Sequence, residues 1–253
     1  MAPPPDKIIH SWLVVLLSLF CSFSCVSQNN TREIILINCE ECTKDQIAVL
    51  IEKVACLRPT VIGVDVELNA DASSDTRLLN AMNTDVKLVL PLILYSLGND
   101  DGGSGHESVV TTFSPIYLTK NIRTGFVSVK QKGSDAKTLP LEIVLTKNLH
   151  TYEYSHFSLT VAMAFDSAGV AMKMVTLGNR LHDNFANFKS FQTYSFNQVA
   201  REDWYADLIN KIVFIGYLGP LDIDRYRVPG SPSNSERYGV EYLAHIVDQL
   251  LNQ

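Results

Sequence analysis

The sequence predicts an α/β fold: a layered sheet whose N-terminal half runs βαβαβ, with helices on both faces. Three observations predict it. The apolar runs at residues 33–37, 60–66 and 86–93 are too continuous for half-exposed strands and suit strands buried on both sides of a parallel sheet. Two stretches of helical period lie between them, as strand-helix-strand connections require. A further run, residues 211–216, reads as a strong central strand late in the chain.

The elements follow in order. After the first run comes Asn38-Cys39-Glu40-Glu41-Cys42-Thr43, so a strand leads into Cys-x-x-Cys and then a helix, the layout of a thiol-disulfide oxidoreductase. Thr43 caps that helix, Ile47, Leu50, Ile51 and Val54 share one face, and Arg58-Pro59 ends it. Residues 73–82 form a short helix with apolar Leu78, Leu79 and Met82. Residues 98–106, rich in Gly, Asn and Asp, are a surface loop, and 125–129 and 141–145 read as strands. A helix is predicted at 157–168, a short one at 194–199 and an amphipathic closing helix at 239–251. No internal repeat or long linker divides residues 28–253, which read as one domain.

The composition, 46% hydrophobic and 19% charged over 253 residues, is that of a globular chain with a sizeable core. The net charge of −6 carries no dense Lys/Arg block, which argues against a nucleic-acid partner. Residues 1–27 differ in kind: Lys7 precedes the apolar run WLVVLLSLFCSFSCV, and polarity returns at Ser27-Gln28. This is a secretory signal pattern, with a cut expected before Gln28. Two alternatives stay open: Ile8 and Ile9 extend the run into a membrane anchor, or Cys25, in a loose lipoprotein-like box Ser22-Phe23-Ser24-Cys25, carries a lipid. Each version exports the remainder of the chain to the periplasmic side.

Three sets of residues are candidate sites. Cys39 and Cys42 would need a thiolate held by the helix N-terminus, and Glu40 and Glu41 between them oppose it. A local disulfide or two quiet thiols is favoured over redox catalysis. Cys56, about 20 Å along the helix from Cys42, is expected to be an unpaired packed thiol. Asp65 and Glu67 lie at the carboxyl end of the second strand, where α/β folds place ligands, with Asp71 and Asp75 nearby. Turn and cap roles are favoured there over a divalent cation. Asp222, Asp224, Arg225 and Arg227 form a loop after the 211–216 strand; internal ion pairs are one reading, and a grip by Arg225 on a carboxylate or phosphate is the other. The six His show no ligand spacing, and no Gly-x-Ser-x-Gly, phosphate loop or His-Glu-x-x-His is present. No catalytic set, metal or cofactor is expected.

Four pieces, in order along residues 33–251, resemble the second class of CHASE domain, an extracytoplasmic sensory module of bacterial cyclases and kinases. Arg58-Pro59-Thr60-Val61-Ile62-Gly63-Val64-Asp65 is similar to that family's Pro-x-x-Ile-Gly-x-Asp strand. Asp75 to Met82 followed by Val89-Leu90-Pro91 is similar to its Asp-x-x-Leu-x-x-Ala helix and the strand ending in Pro. Thr124-Gly125-Phe126-Val127-Ser128-Val129 resembles its Gly-Phe-x-Asn-Val strand. The strand ending in Gly216, then Asp224-Arg225-Tyr226 with Pro229, then Tyr238-Gly239-Val240-Glu241 resembles its C-terminal signature.

The resemblance implies a non-enzymatic sensory domain that binds an extracytoplasmic ligand, with Asp65, Glu67, Asp224, Arg225 and Tyr226 as the binding candidates. Family members carry a Trp/Pro-rich loop where this chain has CEECTKD, and are followed by membrane helices and an output domain. Here two residues follow the closing helix, so the output is expected from a separate membrane signalling protein. The rival readings are a periplasmic thiol-disulfide oxidoreductase using Cys39 and Cys42, and a scaffolding protein that keeps the sensor fold.

Overall fold

The computed structural model describes residues 33–66, 68, 76–93, 121–127, 138–147, 150–178, 180–182, 188–219, 225–227 and 236–252. The chain divides into residues 1–32, which lie outside that set with the signal and lipid readings, and residues 33–253.

Strand β1 (Ile34–Asn38) leads into helix α1 (Lys44–Cys56), β2 (Val61–Asp65), α2 (Thr76–Met82) and β3 (Lys87–Ile93), the βαβαβ half foreseen above. β4 (Ile122–Val127), β9 (Gln192–Ser195) and β10 (Ile212–Gly216) complete a six-stranded sheet in the order β4-β3-β2-β10-β1-β9. Every pairing in it is parallel. β10, all five residues buried, lies between β1 and β2.

The period-two alternation of the strands divides the core in two. Ile35, Ile37, Ile62, Val64, Leu88, Leu90, Val213 and Ile215 meet the apolar side of α1 and α2. Ile34, Leu36, Val61, Val89, Ile212 and Phe214 meet helices α3 (Phe157–Phe165) and α6 (Gly239–Asn252) on the other face. A parallel sheet covered on both faces is buried throughout, which is why its strands read as unbroken Ile/Val/Leu runs. Pro91 fits inside β3 because pairing with β2 stops at Val89; beyond it the strand has only β4 as a neighbour.

Helix ends follow local chemistry. Thr43 and Gln46 close a capping box at the start of α1, the threonine hydroxyl accepting from the Gln46 amide while the Gln46 side chain accepts from the Thr43 amide. At its other end Arg58 has φ +54°, a left-handed residue just before Pro59. Arg58→Gly should therefore raise stability by about 0.5–1 kcal/mol, read as a higher urea midpoint; an unchanged or lower midpoint contradicts the strain.

Three predictions need correction. The helix expected over 157–168 is two helices, α3 and α4 (Ser167–Leu177), because the Asp166 carboxylate accepts from the Gly169 amide at 2.9 Å and caps a new start. Tyr194 and Ser195 close β9; the short helix α5 (Phe196–Val199) begins after Ser195, which caps it. The charged loop after β10 contains strand β11 (Arg225–Arg227), paired antiparallel with β12 (Glu236–Tyr238). Two further small sheets, β6 (Glu142–Lys147) with β7 (His150–Ser155) and β5 (Thr138–Pro140) with β8 (Arg180–His182), stand outside the main one. The predicted 98–106 loop lies outside the described residues.

Candidate functional site

Because the six strands are parallel, their carboxyl ends share one edge, and the three central ones end together. Asn38, Gly216 and Asp65 are register partners across β1, β10 and β2. By alternation all three face the α3/α6 side. Gly216 between them has no side chain, and its reason is packing: a Cβ there would lie 2.7 Å from a Val240 methyl, so the first turn of α6 rests directly on the strand end.

The walls of this edge are polar and aromatic. The Asn38 side-chain oxygen accepts from the Leu218 amide at 2.9 Å, fixing the chain as it leaves β10. Tyr217 and Tyr238 meet edge to face at 6.2 Å, and the Glu241 carboxylate accepts from the Tyr238 amide at 3.3 Å. Arg225 is the register partner of Tyr238, and Tyr226 that of Arg237, which brings the backbone of that hairpin to the start of α6. Of the other ligand candidates, Asp65 is half-buried at the end of β2, whereas Glu67 and Asp224 lie outside the described residues, as do Asp71, Asp75 and Asp222.

Cys39 follows β1 directly and is also tied to β10, its amide donating to the Gly216 carbonyl at 2.8 Å. It is buried on the α1 side and within hydrogen-bonding reach of the half-buried Cys42. The hydrogen bond and burial push the Cys39 thiol up, while the same hydrogen bond holds Cys42 below the ordinary thiol value against its partial burial. Glu40 and Glu41, exposed to solvent, do not reverse that direction. Cys56 is exposed rather than packed, since it falls on the outer face of α1's last turn.

Two buried histidines escaped the sequence. His156 caps α3, its Nδ1 accepting from the Ser158 amide at 3.2 Å, and packs edge to face on Phe126 at 5.1 Å. His245 in α6 stacks on Phe188 at 4.4 Å, and the Arg237 guanidinium lies 4.9 Å from the centre of the same ring. Among the described residues no group of three or more His, Cys, Asp or Glu is arranged to hold a metal ion.

The CHASE2 domain matches this sequence over residues 39–253, nearly the whole chain; of the edge just described it takes in Asp65, Gly216 and the hairpin, and it begins just after Asn38. The chain belongs to the CHASE2 domain family. No curated protein and no solved structure matches it. CHASE2 domains are extracytoplasmic sensory modules, and the four short pieces that carry the resemblance all lie within the match. No helix among the described residues is long and apolar enough to cross a membrane. In this CHASE2 domain the glycines of three signature pieces each make room for a close neighbour. All three lie on the side covered by α3 and α6: Gly125 under the backbone of Phe157, Gly216 under Val240, and Gly63 against the rings of Phe214 and Phe157.

Proposed function

We propose that this CHASE2 domain is exported by its N-terminal segment and senses a small polar or anionic ligand at the carboxyl edge of its sheet, without catalysis. The observation that carries the reading is the shared ending of β1, β10 and β2, with Asp65 and Asn38 flanking Gly216 and the Arg225 hairpin beside the start of α6. Ligands of parallel sheets bind where strand ends leave a crevice, and here that edge gathers acidic, amide and phenol groups. Arg225 and Asp65 supply charge for recognition, Tyr226 aromatic surface, and Glu67 and Asp224 flank them in sequence. The ligand signals by binding one of two arrangements of the α6 start more tightly, and a membrane signalling protein reads the difference. An N-terminal helix or a lipid on Cys25 holds the domain at the membrane.

Thermal denaturation of the full chain with acetate, succinate, citrate, phosphate and sulfate tests this. A ligand at about 100 times its Kd stabilises by about 2.7 kcal/mol, a rise of roughly 5–10 °C for a domain of this size. Arg225→Ala and Asp65→Asn should abolish the rise while leaving the unliganded midpoint within about 2 °C. A rise that survives both substitutions, or no rise with any of the five, counts against the site.

A further inference from the structure

We propose that Cys39 and Cys42 form a reversible thiol-disulfide exchange site in which Cys42 is the attacking sulfur and Cys39 the resolving one. The inference stands apart from the ligand reading above, since it uses neither Asp65 nor the Arg225 hairpin.

The backbone already holds the pair in position. The Cys42 amide points back to the Cys39 carbonyl at 3.4 Å, and Glu41 takes the left-handed φ of +50° that a tight reversal needs. A four-residue reversal keeps its end Cα atoms within about 7 Å, the span a disulfide requires. Both ends of the turn are anchored: Cys39 through its amide to Gly216, and Cys42 through Thr43, the capping residue of the 13-residue helix α1. Closing the bond therefore asks little of the surrounding strands.

The two sulfurs are not equivalent. Cys39 is 4% exposed, whereas Cys42 sits half-buried at the outer end of the turn, where an incoming disulfide can reach it. Access and thiolate character together decide which sulfur attacks. The Cys39 S–H, donating to the Cys42 sulfur, favours charge on Cys42.

The exchange balances with a small or protein-borne disulfide as oxidant. The Cys42 thiolate attacks one sulfur of the incoming disulfide; its S–S bond breaks, a Cys42 mixed disulfide forms, and one thiolate leaves and takes a proton from water. Cys42 now carries no charge, so the repulsion that had opposed ionisation of Cys39 is gone. Cys39 gives its proton to solvent and attacks the Cys42 Sγ, the second thiolate departs, and Cys39–Cys42 is closed. Two electrons have passed from the pair to the oxidant, the Cys39 proton and the one Cys42 lost on ionising reach the two departed thiolates through water, and a dithiol reverses the sequence. An exported protein meets oxidants of this class outside the cytosol.

The test uses the full chain carrying Cys56→Ser, with glutathione disulfide as the probe and the site of attachment mapped by peptide, which keeps Cys21 and Cys25 apart from the pair. Glutathione is expected first on Cys42, giving way to a Cys39–Cys42 disulfide that dithiothreitol removes. Cys39→Ala should accumulate the Cys42 adduct, and Cys42→Ala should slow modification at position 39 by about tenfold or more. If Cys39→Ala unfolds, the order of alkylation by limiting iodoacetamide in the parent protein decides instead, with Cys42 again expected first. First modification at Cys39, equal rates at both, or reaction of the pair only when the whole domain unfolds overturns the proposal.

Discussion

Lowering the pH from 7 towards 4 should cost the folded domain several kcal/mol, and His156 should carry a large part of the loss. The ring is 1% exposed, and burial pushes its pKa down to about 3. Above the ordinary value of about 6.5 both the folded and unfolded chains hold it neutral, and it contributes no pH dependence. Between about 6.5 and 3 the unfolded chain gains a proton that the folded one refuses, so stability falls with falling pH. The slope is about 1.4 kcal/mol per pH unit, about 4–5 kcal/mol if followed to the end. His245, lowered by its own burial and partly restored by Asp248, acts in the same direction. His156→Asn keeps a capping acceptor for the Ser158 amide but cannot take up a proton. It should be less stable than the parent at pH 7, where the ring's packing on Phe126 is lost, and should overtake it near pH 4–5 as the parent's proton cost grows. Urea denaturation of both at pH 7, 6, 5 and 4 checks this; a gap that stays constant with pH would rule His156 out as the source.

Gly125→Ala should destabilise the domain by on the order of 3 kcal/mol, near the upper end for one added methyl. An ideal Cβ at Gly125 would lie 2.5 Å from the Phe157 Cα and 2.8 Å from its amide nitrogen, so the obstruction is the backbone of α3's first turn rather than a side chain that could rotate away. Relief would require α3 to lift off β4. Thr160, hydrogen-bonded to the His156 carbonyl and within 3.5 Å of the Thr124 carbonyl, holds it down. Gly63 under the far end of the Phe157 ring is the milder case, because there the nearest atoms belong to the Phe214 and Phe157 rings. Chemical denaturation of Gly125→Ala beside Gly63→Ala is the comparison; a loss below about 1 kcal/mol at Gly125, or a larger loss at Gly63, would show that α3 yields easily.

Much of the fold was legible because a buried parallel strand leaves an uninterrupted Ile/Val/Leu run, as in Ile34–Asn38 and Ile212–Gly216, and a capping Thr marks a helix start. The strand order could not be read the same way. Nothing local to Val61–Asp65 says that its neighbour lies far downstream in β10; only the register Gly216↔Asp65 does. The helix break at Asp166 was hidden because apolar spacing continues through Phe165 and Val170, while the deciding bond, from Gly169 to the aspartate, is a matter of backbone direction. At the candidate site Asp65 and the cysteine pair were visible as chemistry at a strand end. Asn38 was not, because its importance depends on which strand stands beside it. His156 was passed over since histidine is not among the usual capping residues.

The insertion of β10 between β1 and β2 has a consequence for how the protein comes into being. When synthesis has passed β9 but not reached Gly216, β1 and β2 have no shared partner, and the place kept for β10 is a gap of about 10 Å between their axes. Two strands cannot bond across that distance, so β1 stays apart from the β2-β3-β4 sheet that α1 must also cover. Closure waits for β10, which is made only after β3 to β9, and α6 can dock only after it, through Val240 on Gly216. Such a chain stays open until Gly216 has been made, and a pathway that threads unfolded polypeptide through a membrane would receive it before its final lock has formed.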